Sequence, residues 1–303
     1  MSLTHHPMHQ GRLLHIGCAC CRPQDKACGE LEQAAADTLA MPLRGVFVKH
    51  HEGGPEVVAS AGQALFFNAG ETYRVSHPAG GSDDCLTLQL APGALRELLR
   101  NFDAAAAERG ERPFGATHAA LPAAATLQRQ LLWQGLRDGS ADLLEIETRA
   151  LELFGTALGC ARPLAPRDAD RRPQARRRRR EQARSAAVTL AAQPDAGWSL
   201  DQLSQRVHAS PFHLARSFRE ELGESIHQYL LRARLARALE AVLDSAEDFT
   251  VIALALGFST PSHFTAAFRK AYGCTPSEVR RKARPEQARQ LRRISTAPAA
   301  VAS

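Results

Sequence analysis

Apolar positions change period along this chain. From residue 43 to 90 they fall in short pieces: Val46-Phe47-Val48, Val57-Val58, Leu65-Phe66-Phe67, Tyr73-Arg74-Val75 and Leu86-Thr87-Leu88-Gln89-Leu90. Turn clusters part them: Gly53-Gly54-Pro55, Asn68-Ala69-Gly70, His77-Pro78-Ala79-Gly80-Gly81 and Asp83-Asp84. Short strands at close spacing with Gly and Pro punctuation predict an antiparallel barrel or double-sheet roll, a shape that can enclose a small ligand. The Ala-rich stretch Glu30 to Met41 ahead of them predicts a short helix. Beyond the strands, residues 92–102, 121–136 and 143–158 carry apolar residues at helical spacing. They predict helices that close the barrel or form a dimer seam.

From residue 181 onward the helical period continues, and one device occurs twice. Residues 210–223 align with residues 260–273 without insertion, pairing Pro211 with Pro261, His213 with His263, Phe218 with Phe268, Arg219 with Arg269 and Gly223 with Gly273. Each copy opens on Ser or Thr followed by Pro, the choices that start a helix, and closes on a Gly suited to a left-handed C-terminal residue. A short apolar segment precedes each copy: Leu200, Leu203 and Val207 in the first, Val251, Ile252 and Leu254 in the second. Short helix, tight turn and second helix make a helix-turn-helix unit.

Within each second helix, Leu214 with Phe218 and Phe264 with Phe268 sit four apart and predict the buried stripe. The opposite faces then present Phe212, His213, Arg216, Ser217 and Arg219, and Ser262, His263, Thr265, Ala266 and Arg269. Between the units, residues 225–243 predict one helix with Leu230, Leu231, Leu235 and Leu239 inside and Arg232, Arg234 and Arg237 outside. A helix of that length spans roughly 28 Å. Successive major grooves on one face of DNA lie about 34 Å apart, so such a connector suits two helices reading adjacent grooves.

Charge sharpens this picture. The chain of 303 residues has a net charge of +6, but residues 1–170 hold 15 Lys+Arg against 20 Asp+Glu, and residues 171–303 hold 23 against 12. An acidic front and a basic back place the polyanion partner with the back. No apolar run reaches the roughly 18 residues a membrane span needs, and the start of the chain lacks a secretory apolar core, so a cytoplasmic protein with no membrane partner is expected. Its seven Cys are then free thiols or ligands. Cys18, Cys20, Cys21 and Cys28 crowd together in sequence, a set suited to a soft metal or to thiol sensing, although their spacing matches no paired CxxC knuckle. His50, His51, Glu52 and His77 lack the spacing of a metal-holding barrel and are expected on surface or loops.

The residues of the back half resemble the AraC/XylS family of bacterial transcription regulators. The resemblance runs over about residues 182–282, through Leu203-Ser204, Ser210, Leu214, Arg216, Phe218-Arg219, Gly223, Tyr229, Arg234-Leu235, Ala238, Ile252-Ala253, Gly257-Phe258, Phe264, Phe268-Arg269-Lys270, Gly273, Thr275-Pro276 and Arg280. It implies a seven-helix DNA-binding domain over residues 181–283 with units at about 201–222 and 249–272. It also implies that Phe212, Ala215 and Arg216, and Pro261, Ser262 and Ala266, face the bases. Where some relatives carry a base-reading Arg, this chain has Ala266, which can touch a thymine methyl but cannot bond guanine. The front half, residues 1–162, is similar in order of elements to the family's cupin-like sensor and dimerisation domain.

Together these give an α+β chain of two domains: a cupin-like β-barrel with flanking helices, then an all-α domain with two helix-turn-helix units on a long helix. A linker holding the Arg176–Arg180 run is expected over residues 163–180, and a disordered tail over 284–303. The expected function is a non-enzymatic, sequence-specific regulator of transcription. It would bind promoter DNA, work with RNA polymerase, respond to a small-molecule, metal or thiol signal, and form a homodimer. The alternative is a DNA-repair methyltransferase fused to such a domain, since Cys20-Cys21-Arg22-Pro23 faintly resembles that group's Cys-Arg-Pro stretch; no second Cys pair accompanies it. An architectural protein without sequence preference is a third class.

Overall fold

The structure is a computed structural model, and it describes residues 2–23, 26–51, 56–102, 112–161 and 173–283. Glu52, the turn at residues 53–55, most of the expected linker and the expected tail lie outside the described residues.

The described strands form two antiparallel sheets. Strands β1 (Ser2–Gln10), β2 (Leu14–Arg22), β4 (Thr38–Arg44), β7 (Gln63–Phe67), β9 (Asp83–Leu90) and β10 (His118–Ala120) build a sheet in the order β1-β2-β9-β4-β7-β10. Strands β3 (Glu32–Gln33), β5 (Phe47–His51), β6 (Val57–Ala59) and β8 (Thr72–Ser76) build the other, ordered β3-β8-β5-β6. Side chains alternate across each strand. Leu39, Met41, Phe66, Leu86 and Leu88 therefore point one way, into a core with Leu95, Leu132 and Phe154 of helices α1 (Pro92–Arg100), α2 (Ala123–Asp138) and α3 (Leu143–Cys160). Ala40, Leu65, Phe67 and Cys85 point the other way and meet Phe47, Val57 and Ala59 of the smaller sheet. The front half is thus helices on a sheet on a sheet.

The pieces read as strands at 46–48, 57–58, 65–67, 73–75 and 86–90 are strands. The helix expected over Glu30 to Met41 is not: that stretch holds β3 and the start of β4. The physical reason is burial on both faces. Residues Leu39 to Leu43 are all buried, so β4 lacks the apolar–polar alternation that marks a half-exposed strand.

The back half is helical: α4 (Pro173–Ala192), α5 (Leu200–Arg206), α6 (Pro211–Leu222), α7 (Ile226–Asp244), α8 (Phe249–Ala255), α9 (Pro261–Tyr272) and α10 (Pro276–Ala283). Helix α4 begins eight residues before the expected 181, so the Arg run lies in its first turns rather than in a linker. The first core gathers Leu190, Leu203, Leu214, Phe218 and Tyr229, and reaches Val48 and Val58 of the small sheet and Val46 just ahead of β5. The second gathers Leu239, Ile252, Phe264, Phe268 and Tyr272, and takes in Ala123, Leu127 and Leu131 of α2. Both units are therefore seated on the front half.

Candidate functional site

Each helix-turn-helix unit is set by caps readable in the chain. Ser199 and Gln202 form a reciprocal capping box at the start of α5, and Ser210 Oγ accepts the His213 N–H at the start of α6. In the second unit Asp248 caps α8 and Thr260 Oγ1 accepts the His263 N–H at the start of α9. Gly223 and Gly273 close α6 and α9 in the left-handed region, with φ of 77° and 74°. The turns within the units differ. The first bends at His208 (φ 52°), three residues before Pro211; the second bends at Gly257 (φ 77°), four before Pro261. An added Cβ at Gly257 would lie 2.9 Å from the Asp195 carbonyl oxygen, a close approach that only Gly tolerates there.

On α6, Leu214 and Phe218 are buried as expected, while Phe212, His213, Ala215, Arg216 and Arg219 are exposed. Phe212 is 75% exposed, an apolar ring held out into water from the first turn of its helix. Ser217 departs from expectation: it is buried, and its hydroxyl donates to the Leu214 carbonyl. It follows Leu214 by three positions and so falls on the buried side of the helix. Both acidic residues of α6 are engaged by arginine. Arg216 Nε donates to Glu220 at 2.7 Å, and Arg180 from the Arg run donates to Glu221 at 2.9 Å. The hydrogen bond to Glu220 also holds the Arg216 pKa above its ordinary value. Arg216 is thus fully ionised, exposed and held along the outer face of the helix.

On α9, Ser262, His263, Ala266 and Arg269 are exposed, and Pro261 and Thr265 half-buried. Pro261, Ser262, Thr265, Ala266, Arg269, Lys270 and Thr275 line one open concave surface. Lys270 and Thr275 were not among the sequence candidates; the turn into α10 brings Thr275 beside α9. His263 faces its own unit, with its ring 5.8 Å from Phe258 and Nδ1 3.3 Å from the Ser259 hydroxyl.

The connector α7 matches its expected length, but its arginines divide. Arg237 is exposed, whereas Arg232 donates to Glu224 at 2.6 Å. Arg234, expected outside, turns inward and bonds the carbonyls of Pro194, Gly257 and Ala196. Leu200, Val251 and Leu254, the apolar residues read as leading into each unit, are exposed, while Leu203, Val207 and Ile252 are buried.

The front half holds the other candidates around a cavity of about 650 Å³ between the sheets, walled by Ala19, Phe47, Phe67, Tyr73, Val75 and others. Strand alternation splits the cysteines. Cys18 and Cys20 share one face of β2 with sulfurs 3.4 Å apart, while Cys21 faces the cavity. Cys28 is exposed, on an isolated bridge to Ser76. The four expected as one set therefore do not converge. Burial pushes the Cys18 thiol up to about 12 and that of Cys21 to about 11, so both are neutral thiols at physiological pH rather than reactive thiolates. Among the described residues, one group of three metal-ligating side chains does converge: Cys21, His77 and Asp83.

The histidines expected on the surface are largely enclosed. His77 is buried, with Nε2 2.5 Å from Asp83 Oδ1. His51 Nδ1 lies 2.9 Å from Glu71 Oε1, which buried Lys49 also meets at 2.8 Å. His50 is half-buried, and burial lowers its pKa.

Comparison with known proteins bears on the helical half. A family model described as a helix-turn-helix domain matches residues 203–282. The transcriptional regulator ArgR of Pseudomonas aeruginosa is 32% identical over 99 residues, which cover 33% of this chain and 30% of ArgR. GadX of Escherichia coli is 32% identical over 89 residues, 29% of this chain and 32% of GadX. A solved AraC-type DNA-binding transcriptional regulator from Chromobacterium violaceum is 30% identical, covering 34% of this chain and 94% of that one, with a TM-score of 0.32. The matched stretch spans about a third of the length of these curated relatives. Among the described residues no helix is long and apolar enough to cross a membrane. The paired capped units, their shared spacing and the matches in sequence agree on one statement: residues 203–282 of this chain are a helix-turn-helix domain, similar to those of these transcriptional regulators.

Proposed function

We propose that this protein is a cytoplasmic, sequence-specific DNA-binding regulator of transcription, without enzymatic activity, that acts with RNA polymerase. Its double-sheet front half is a cupin-like barrel that receives a small-molecule or metal effector and supports a homodimer. The observation that carries the reading is the pair of exposed second helices, α6 and α9, at the two ends of one 19-residue connector. A helix of that length spans roughly 28 Å, and with the width of a unit at each end it suits adjacent major grooves. Phe212, His213, Ala215, Arg216 and Arg219 of α6, and Pro261, Ser262, Thr265, Ala266 and Arg269 of α9, form the DNA face. Ser217 and His263 support it from within their own units. Arg216 has the fork that reads a guanine edge, while Ala266 offers only a methyl, so α6 specifies and α9 mainly positions.

The test is a gel-shift titration on the DNA flanking the protein's own gene, with wild type and Arg216→Ala. Loss of the Arg216 fork is expected to cost about 1–3 kcal/mol on the specific site and to relax discrimination at one base pair. Unchanged discrimination would remove Arg216 from the reading face. Equal affinity for all sequences, with a steep salt slope, would point to an architectural protein instead. The methyltransferase alternative gains no support, because Cys18, Cys20 and Cys28 stand outside the one ligand group that converges among the described residues.

A further inference from the structure

Three side chains that the DNA-binding reading leaves unused meet inside the front half. Cys21 near the end of β2 and Asp83 at the start of β9 are directly paired across the two strands. His77, one residue beyond β8, comes to them from the smaller sheet. Each offers one ligand atom, and the three atoms lie within 4.8 Å of one another. All three residues are at least 95% buried. We propose that Cys21, His77 and Asp83 bind one divalent transition-metal ion, zinc by preference, at the edge of the inter-sheet cavity.

The donor set fits that ion. Sulfur, nitrogen and carboxylate oxygen together suit borderline-soft zinc, whereas calcium and magnesium take oxygen ligands. Metal–ligand bonds of zinc length place tetrahedral donors about 3.3–3.8 Å apart, which small side-chain rotations reach from the observed spacing. The neighbours already hold the ligands in place. The Cys85 thiol donates to Asp83 Oδ2 at 3.6 Å, and Arg22 donates to the Asp83 carbonyl at 3.2 Å and to the Asp84 carboxylate at 2.9 Å. Such outer contacts orient first ligands and raise affinity. Three protein ligands leave the fourth position of a tetrahedral ion open, as in zinc sites that take an exogenous ligand. Cys21 and Asp83 line the cavity of about 650 Å³, so that position faces water or the anionic head of a cavity ligand. The sequence set of four cysteines therefore contributes one ligand, and the others come from a His and an Asp more than fifty residues on.

The experiment uses the full chain, stripped of metal under reductant and titrated with Zn²⁺ against a chromophoric chelator. One ion per chain is expected. Co²⁺ in its place should give a sulfur-to-cobalt charge-transfer band that Cys21→Ser abolishes and Cys28→Ser keeps. His77→Gln and Asp83→Asn should each weaken binding by more than about 100-fold, since even outer-shell changes cost about 10–100-fold. Circular dichroism confirms that each variant is folded. Should Cys21→Ser not fold, the cobalt spectrum of the wild type still reports sulfur ligation, and His77→Gln still reports the site. No stoichiometric ion on the wild type, a cobalt spectrum without the sulfur band, or wild-type affinity in folded His77→Gln would each overturn the proposal. Because the metal is read directly, a chain that binds its promoter but no zinc loses only this site. A chain that binds zinc but no DNA loses only the regulator reading.

Discussion

The most demanding residue in the front half is Lys49, wholly buried with its ammonium 3.5 Å above the Phe67 ring. It donates to the Phe66 carbonyl at 2.9 Å and meets Glu71 Oε1 at 2.8 Å. Burial brings its pKa down to about 8, against the pull of Glu71. Burial alone would raise Glu71; hydrogen bonds from His51 and Lys49 and the Lys49 charge overcome it and bring that carboxyl to about 2. The sign of the pH effect follows. A carboxyl depressed from 4.5 to about 2 contributes stability that is present above 4.5 and lost as pH falls toward 2. A lysine depressed from 10.5 to about 8 has a slope of the same sign on the alkaline side: its burial is a cost below 8, the unfolded chain holds its proton longer, and stability rises as that cost is relieved between about 8 and 10.5. Glu71→Gln leaves Lys49 buried without its anion and should cost about 3–5 kcal/mol. Urea melts from pH 3 to 7 check it: the wild type should lose stability toward acid, and the variant should be weaker at neutral pH with a flatter acid limb. An unchanged acid limb would show that other carboxylates set it. None of this was visible in the sequence, where Lys49 on β5 and Glu71 just before β8 stand 22 positions apart and only the fold reveals the pairing of those strands.

Among elements, the connector α7 governs the back half, and its key contact is Arg234 rather than its apolar stripe. Arg234 ties the turn after α4, through Pro194 and Ala196, to the bend of the second unit at Gly257. One guanidinium thereby fixes the approach to α5 relative to the turn between α8 and α9. Arg234→Leu removes three bonds to backbone carbonyls, each involving a charged donor. Such bonds contribute about 1.5–3 kcal/mol apiece, and relief of the buried charge offsets part of the loss. We expect a net loss of about 3 kcal/mol in a urea melt, with DNA affinity falling further than stability because the angle between the two units loosens. Equal affinity in a folded variant would mean that the hydrophobic stripe alone sets the geometry. The helical elements were legible because caps and periodicity are local: Ser199 with Gln202, Ser210-Pro211, Thr260-Pro261, Gly223 and Gly273 mark their own boundaries. The strands were legible only where one side meets polar surroundings or a turn. β4 hid in a continuous apolar run. β1 hid in a polar run of three histidines, carrying Pro7 and a bulge at the sheet edge, where unpaired backbone tolerates both. Residues Cys21, His77 and Asp83 were each noticed or passed over singly, because cross-strand register pairs Cys21 with Asp83 and only the packing of the two sheets brings His77 to them.

At the scale of the whole molecule, the two halves share cores, and a charged seam lies at the end of α7. Arg44 of β4 pairs with Glu240 and with Asp244, the latter at 3.0 Å, while Arg137 of α2 approaches Asp244 at 3.5 Å. Arg184 of α4 pairs with Glu56 beside β6. Deeper in, the fully buried Arg129 of α2 donates to the carbonyls of Pro42 and Ala61, both at 2.6 Å, and burial lowers its pKa to about 10. Glu240 and Asp244 sit in the last turns of α7, where the helix dipole already disfavours anions, so the front-half arginines relieve a cost the helix carries alone. The front half thus grips the connector that spaces the two helix-turn-helix units, and under the proposed function this contact would carry a change in the cavity to the DNA face. Arg44→Glu reverses that grip. Its side chain is half exposed, so the effect is modest, about 1–2 kcal/mol against the docking of the halves. Calorimetry should show one unfolding transition for the wild type and a broadened or divided one for the variant, as the front half loosens before the helical half. Affinity for DNA without effector should change little, since Arg44 belongs to neither exposed helix face, while any dependence of that affinity on zinc or a cavity ligand should shrink. The charge-swapped pair Arg44→Glu with Glu240→Arg should restore both the single transition and the dependence. Restoration ties the coupling to this seam; failure of the swap, with the single variant impaired, would move it to the Arg129 contacts and the shared apolar cores.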